Sequence, residues 1–112
     1  MDDVAVERVL RIVEFVPSGR VVSYGTVGLV ARCSPRYVGR VMKEYGSNVT
    51  WWRVINAAGR LPDPLLGRAR EKWEDEGTAH RHDKALTSAF ITFEELDALW
   101  SAHGRDPGER LD

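Results

Sequence analysis

The sequence predicts a single domain that is mainly α-helical with a short β element, on three observations. Its 112 residues suit one modest hydrophobic core. Apolar residues recur at helical spacing in several segments, which glycine, proline or a capping residue separates. One run, TWWRVI at residues 50–55, is instead rich in aromatic and β-branched residues, which is typical of a strand. We expect the domain to cover residues 1–104 and residues 105–112 to form a flexible tail.

The first helix is expected at residues 4–16. Asp2 or Asp3 is its candidate N-cap. Apolar residues follow at helical spacing: Val9, Leu10, Val13 and Val16. Residues 17–19, PSG, then predict a turn, and residues 20–23 predict a short extended link.

Two short helices joined by a three-residue turn are expected next, at residues 24–45. The first runs from Tyr24 to Ala31. The second begins at Pro35, because Ser34 is a good N-cap and proline suits the first helical position. This pattern predicts a helix-turn-helix unit, and with it a winged helix-turn-helix-like fold. The second helix of such a unit usually meets DNA, and here it would present three cations outward: Arg36, Arg40 and Lys43.

The β run holds two adjacent tryptophans. Trp51 and Trp52 would point to opposite faces of a strand, so both rings cannot easily enter one core. A turn is expected at residues 57–60. The next helix is expected from Leu65 to Glu76, with Gly77 ending it.

The last elements are an extended piece and a helix. Residues 89–91 are expected to be extended. Thr92 and Glu95 have the spacing of a capping box, which predicts a final helix that stops at Gly104.

The net charge of −1 hides a polarity along the chain. Residues 18–60 hold seven basic residues and one acid, a charge of +6, and the remainder carries −7. A basic segment that coincides with a helix-turn-helix is a candidate phosphate-binding face. The alternative is that these cations form an ordinary solvated surface.

Several classes of protein are disfavoured by the composition. No apolar run approaches the roughly 20 residues that span a bilayer, and the acidic start lacks a signal-peptide pattern. Cys33 is the only cysteine, so no internal disulfide is possible. His80 and His82 alternate at strand spacing, but two histidines without a third ligand are expected to be surface residues. We therefore expect a cytoplasmic protein, nucleoid-associated in a bacterium, with neither a metal nor another cofactor.

Four motifs occur in an order that resembles a known family. They are PSGRVVSYGTV at residues 17–27, SPRYVGRVM at 34–42, WWRVINAAGRL at 51–61 and EDEG at 74–77. In order and spacing they resemble the C-terminal, DNA-binding domain of the O6-alkylguanine-DNA alkyltransferases, over roughly residues 4–80. That family's alkyl-accepting motif reads Pro-Cys-His-Arg-Val, where this chain has Thr-Trp-Trp-Arg-Val. A tryptophan at the cysteine position is typical of the alkyltransferase-like proteins, which resemble the enzymes but do not repair the base.

The resemblance implies a non-enzymatic sensor that flips O6-alkylguanine out of duplex DNA and flags it for nucleotide excision repair. Tyr24 matches the tyrosine that helps rotate the nucleotide, and Arg36 matches the arginine finger that fills the vacated space. The expected DNA contacts are Tyr24, Ser34, Arg36, Arg40 and Lys43. The expected lesion pocket comprises Tyr24, Trp51, Arg53 and Val54.

Four further expectations concern the pocket and the residues around it. We expect Trp51 to line it and Trp52 to turn to the other side and pack in the core. Glu76 matches the glutamate of the family's Cys-His-water-Glu relay. Without those partners we expect it to hydrogen bond near Arg53 or to lie on the helix surface. Cys33 lies in the helix-turn-helix turn, where a structural thiol is expected.

Two rival functions remain at this stage. A sequence-specific helix-turn-helix regulator would read base edges in the major groove, usually as a dimer, whereas we expect a monomer. A residual alkyltransferase or lyase-like activity would need an activated nucleophile, which indole does not supply. Proteins of nucleotide excision repair are the expected partners besides double-stranded DNA.

Overall fold

Five α-helices and two very small sheets form the structure, a computed structural model that describes residues 2–108. The helices are α1 (Asp3–Val13), α2 (Tyr24–Ala31), α3 (Pro35–Tyr45), α4 (Asp63–Glu76) and α5 (Phe93–His103). The strands are β1 (Val22–Ser23), β2 (Val54–Ile55), β3 (His80–Arg81) and β4 (Lys84–Ala85). β1 pairs in parallel with β2, and β3 pairs antiparallel with β4. The expectation of a mainly helical domain with a short β element is confirmed.

α1 is shorter than the sequence predicted. Asp2 is its N-cap, accepting a hydrogen bond from the Val4 amide, but the helix ends at Val13 rather than Val16. The amides of Phe15 and Val16 bond three residues back, which tightens the final turn. Pro17 disfavours helical backbone at the residue before it. Val16 is nevertheless buried, as its place in the apolar stripe predicts, although it lies beyond the end of the helix.

The helix-turn-helix has the predicted bounds. α2 ends where Arg32 adopts a left-handed backbone, φ 63°. Ser34 then caps α3 by accepting a hydrogen bond from the Tyr37 amide at 3.1 Å. Gly28 is needed at the turn, because a Cβ there would lie 2.6 Å from the Cys33 carbonyl oxygen.

The strand predicted at residues 50–55 is only partly present. Its last two residues form β2, whereas Trp51–Arg53 is a turn of 3-10 helix. α4 begins at Asp63, two residues before the prediction, with Pro64 in its first turn. Of the piece expected to be extended at 89–91, Ala89 is instead the last residue of a 3-10 turn, Thr87–Ala89, and Phe90 forms a single parallel bridge with Val21. α5 has the predicted capping box of Thr92 and Glu95.

The buried side chains form two clusters. The first lies among α1, α2, α3 and α5. The second includes residues of α4, β2 and β4, and Trp73 is its largest fully buried side chain. The helix-turn-helix therefore rests on the first cluster, and the segment with the paired tryptophans rests on the second.

The expected tail begins close to α1. Arg8 Nε lies 3.0 Å from Asp106 Oδ1, and Arg11 donates to the Arg105 carbonyl at 2.7 Å. Residues 105–108 thus lie against α1, while the rest of the expected tail, residues 109–112, lies outside the described residues. A boundary at residue 104 stays a prediction. Within residues 2–108, no helix is both long and apolar enough to cross a membrane.

Candidate nucleic-acid interface

The exposed face of α3 carries the predicted cations. Arg36, Arg40 and Lys43 are all exposed. Within residues 2–108, none of them takes part in an ion pair. Ser34 is also exposed, but its hydroxyl is occupied as the helix cap. The four residues lie on α3 and at its N-cap. The three cations are free to bind phosphate oxygens.

Beside this face lies a cavity of about 620 Å³, which is enough for a purine base. Its walls come from α2, α3, the 3-10 turn at 51–53, β2 and the start of α4. The lining residues are Tyr24, Gly39, Met42, Lys43, Gly46, Ser47, Trp51, Val54, Leu61, Pro62, Pro64, Leu65 and Arg68. The structure therefore brings Tyr24, Trp51 and Val54 together, as the sequence reading expected.

Tyr24 is the first residue of α2 and lies half-buried at the cavity wall. Ser23 caps the helix by accepting from the Thr26 amide at 3.1 Å, which fixes the start of α2. Burial raises the pKa of Tyr24. The side chain is thus a neutral phenol at physiological pH, and its hydroxyl can donate a hydrogen bond to a phosphate oxygen.

Trp51 lies against its neighbour and beneath an arginine. Its ring stands nearly perpendicular to that of Trp52, with centroids 5.7 Å apart. The guanidinium carbon of Arg68 lies 5.4 Å from the Trp51 centroid, within the range of a cation–π contact. Because residues 51–53 form a 3-10 turn rather than a strand, the two adjacent rings contact each other instead of pointing to opposite faces.

Arg53 was expected in the pocket, but it does not line the cavity. Its guanidinium instead forms a two-pronged ion pair with Glu76. It also donates to the Val16 carbonyl at 2.8 Å. The side chains of Arg53 and Glu76 are each only 13% exposed. Arg53 is therefore a structural residue that ties the 3-10 turn to α4 and to the end of α1.

Trp52 completes this ion-pair network. Its Nε1 donates to Glu76 Oε1 at 3.0 Å, and its carbonyl accepts from Trp73 Nε1 at 2.8 Å. Trp52 is half-buried rather than in the core, with Lys72 Nζ 5.0 Å from its ring centroid. Glu76 hydrogen bonds to Arg53 as expected, and Trp52 is a second donor to the same carboxylate.

The charge of Glu76 is stabilised by these donors. Burial alone would raise the pKa of this carboxyl, but hydrogen bonds from Arg53 and Trp52 outweigh it and hold the pKa below its ordinary value. Glu76 is thus an anion with its donors supplied by the chain itself, and it has no proton to give at neutral pH.

Cys33, His80 and His82 do not line the cavity. Cys33 is half-buried in the helix-turn-helix turn and does not line the cavity, and burial raises the pKa of its thiol although Arg8 opposes this. His80 bonds to the Thr78 carbonyl through Nδ1, and His82 lies in the β3–β4 turn. Among residues 2–108 no group of three or more His, Cys, Asp or Glu side chains is placed to hold a metal ion.

Sequence reasoning missed one wall of the cavity. Its residues are Pro62, Pro64, Leu65 and Arg68. A usable signal was present, since Leu65 and Arg68 are three residues apart and so share a helix face that follows two prolines.

Comparisons with known proteins identify the family of this chain. Residues 5–78 match the family described as 6-O-methylguanine DNA methyltransferase, DNA binding domain. The DNA base-flipping protein of Escherichia coli K12 is 39% identical over 77 residues, which are 63% of this chain and 60% of that protein's length. The DNA base-flipping protein of Vibrio parahaemolyticus is 32% identical over 83 residues, 69% of this chain and 82% of that protein.

A solved structure shares the fold. The crystal structure of S. pombe Atl1 in complex with damaged DNA containing O6-carboxymethylguanine superposes with a TM-score of 0.69. The match covers 82% of this chain and 98% of the Atl1 chain, at 24% identity.

Proposed function

The chain belongs to the family of the 6-O-methylguanine DNA methyltransferase DNA-binding domain, and from this membership we propose that it is a DNA-damage sensor. It binds duplex DNA, rotates an O6-alkylguanine out of the stack and holds the base against Trp51 without altering it. The observation that carries this proposal is the cavity next to α3, which has an aromatic wall and space for a purine. The relatives named DNA base-flipping proteins support it.

Binding begins with phosphates. Arg36, Arg40 and Lys43 lie exposed on one face, where they release condensed counterions as they neutralise the backbone. Tyr24 lies where the cavity meets this face and presses on the phosphate of the nucleotide that rotates. Extrusion costs a few kcal/mol, and least for a damaged or poorly paired base. Arg36 fills the vacated space and offsets part of that cost.

Recognition then depends on stacking. An aromatic side chain contributes about 1–3 kcal/mol per stacked base. Trp51 supplies this face, with Arg68 on its ring and Val54 beside it in the wall. The lining residues include neither cysteine nor histidine within the described part of the chain. The pocket therefore holds the base but has no thiol to accept an alkyl group, and we place the protein outside the enzymes.

The bound complex would be a signal rather than a product. A lesion that is held but not repaired has to be passed on, and nucleotide excision repair is the pathway that removes bulky or distorted sites. A single chain contains the cavity and the basic face, which suits a monomer. A DNA ligand places the protein with the chromosome, in the cytoplasm and on the nucleoid if the source is bacterial.

The test is a pair of binding curves. Labelled duplexes that differ only by O6-methylguanine at one position are titrated by fluorescence anisotropy at several salt concentrations. The modified duplex is expected to bind more tightly, and Arg36→Ala to weaken both. Arg36→Lys keeps the charge but loses the planar group, so it should retain binding of the unmodified duplex better than that of the modified one. Equal affinity for the two duplexes at every salt concentration would favour a sequence-specific regulator.

The proposal that the protein does not accept the alkyl group has its own test. DNA carrying a radiolabelled O6-methyl group is incubated with the protein, which is then separated and counted. We expect no transfer, because Trp51 has no nucleophilic atom and burial raises the pKa of Cys33. Stoichiometric label on the protein would show that it is an enzyme.

A further inference from the structure

A short basic hairpin projects beside the cavity, and the helix-turn-helix does not account for it. It is the wing hairpin, residues 80–85, formed by β3, β4 and the two-residue turn His82-Asp83. Arg81 and Lys84 are both exposed. Within residues 2–108 neither takes part in an ion pair. The hairpin's single acid, Asp83, is neutralised by Arg60, whose Nη2 lies 2.6 Å away.

The placement of these two cations is unfavourable in the protein alone. Arg81 and Lys84 are directly opposite each other in the register of the hairpin. Like charges at facing positions of an antiparallel pair repel and destabilise it. His82 adds to the cost, since its φ of 53° lies in the left-handed region that non-glycine residues rarely occupy. An anion bound between the facing cations would relieve the repulsion.

The wing hairpin is fixed firmly to the segment that forms the cavity wall. The Ala85 amide donates to the Gly59 carbonyl at 2.8 Å, and a Cβ on Gly59 would lie 2.4 Å from the Ala85 carbonyl oxygen. Leu61, two residues after Gly59, lines the cavity. Two residues span at most about 7 Å, so the base of the hairpin lies close to the wall that would enclose the flipped base.

We propose that the wing hairpin is a second DNA contact, at which Arg81 and Lys84 together bind backbone phosphates flanking the flipped nucleotide. The inference rests on the proposed function, because the ligand is the same duplex. A repeating polyanion suits two facing cations on a rigid support, and the DNA would then be bound both by α3 and by the wing hairpin. Such contacts position the duplex and carry no sequence information.

The test is the salt dependence of binding. Arg81→Gln/Lys84→Gln is compared with wild type on the matched duplexes with guanine and O6-methylguanine. Two lost phosphate contacts should lower the slope of log affinity against log salt by about 1.8. Both duplexes should weaken by the same factor, so the preference for the lesion should be unchanged. The thermal midpoint of the double variant should equal or exceed that of wild type, because the facing charges are gone.

Two matched variants act as controls. Arg81→Lys/Lys84→Arg keeps both charges and should retain the wild-type slope. Arg11→Gln/Arg105→Gln removes the same charge from the α1 side and should change the slope much less. An unchanged slope in the Gln double variant overturns the proposal, and so does a loss confined to the modified duplex. If wild type shows no lesion preference but the slope still falls, the wing contact stands and the sensor proposal fails.

Discussion

The recognition region, residues 21–45, and the pocket region, residues 50–65, differ in what holds them in place. In the recognition region each helix is capped by the residue before it: Ser23 accepts from the Thr26 amide, and Ser34 accepts from the Tyr37 amide. In the pocket region the 3-10 turn depends on distant residues. Arg53 donates to Glu76 and to the Val16 carbonyl, and the Trp52 carbonyl accepts a hydrogen bond from Trp73. The first region is thus locally specified, whereas the second depends on the assembled tertiary structure.

This difference has a functional meaning. A surface that meets phosphates needs only a stable helix with cations on one side, and local signals provide that. A pocket that discriminates one modified base needs a wall placed to within a fraction of an ångström. The buried Arg53–Glu76 pair and the Trp52 donor hold Trp51 at the cavity. A single substitution should accordingly lower the free energy of unfolding more when it lies in the pocket region than when it lies in the recognition region.

The largest effect is expected from Arg53→Ala. It leaves Glu76 as a buried charge without its main partner, which costs about 3–5 kcal/mol of the free energy of unfolding. Urea denaturation followed by circular dichroism measures this. The matched control is Glu7→Ala, which breaks the exposed pair with Arg11 and should cost about 0.3–0.5 kcal/mol. Similar losses in the two variants would mean that the buried pair does not support the pocket region.

Acid should act on the pocket region first. The pKa of Glu76 is lower in the folded protein than in the unfolded chain, so its stabilising contribution is full above the unfolded value of about 4.3. It is lost as the pH falls through the folded pKa. The recognition region contains only one acid, Glu44, and within the described residues that acid forms no ion pair.

The measurement is stability against pH for wild type and Glu76→Gln. Wild type should lose stability below about pH 4, and the variant, already weaker at pH 7, should lose less over the same interval. Glu95 contributes to acid loss in both proteins, because its hydrogen bonds from Arg20 and Thr92 lower its pKa to about 2. Parallel curves for the two proteins would contradict the role given to Glu76.

A smaller effect is expected in the recognition region from Ser34→Ala. Loss of an N-cap costs about 1 kcal/mol, because the Tyr37 amide loses its acceptor. Ser34→Asp restores an acceptor and should recover most of the stability. If the alanine variant is as unstable as Arg53→Ala, the recognition region is less locally specified than its caps indicate.

The same contrast explains what the sequence could predict. α2 and α3 were predicted with the bounds observed, because their caps and the Pro35 start are signals within a few residues. Residues 51–53 were assigned to a strand from composition, but their conformation depends on Glu76, 23 residues away. A partner distant in sequence leaves no mark in the local pattern, and only the resemblance to a family indicated that Glu76 bonds near Arg53. The same resemblance placed Arg53 in the pocket, but its guanidinium bonds to Glu76 and does not line the cavity.

The cavity was predicted in part. Tyr24, Trp51 and Val54 do come together, and the resemblance to a family supplied those positions rather than any periodicity. The opposite wall was missed because Pro62 and Pro64 make an irregular entry to α4. Pro62 lies just before α4 and Pro64 in its first turn, and helix periodicity predicts only the residues that follow.

The central claim is that Trp51 receives the extruded base, and tryptophan fluorescence tests it most directly. Wild type and Trp51→Leu are each titrated with the two matched duplexes, one containing guanine and one O6-methylguanine. In wild type the modified duplex should bind more tightly and quench more strongly. In Trp51→Leu the extra quenching should vanish, and affinity for the modified duplex alone should fall by about 1–3 kcal/mol, the worth of one stacked base. If Trp51→Leu keeps both the extra quenching and the preference for the lesion, the base does not stack on Trp51 and the account is contradicted.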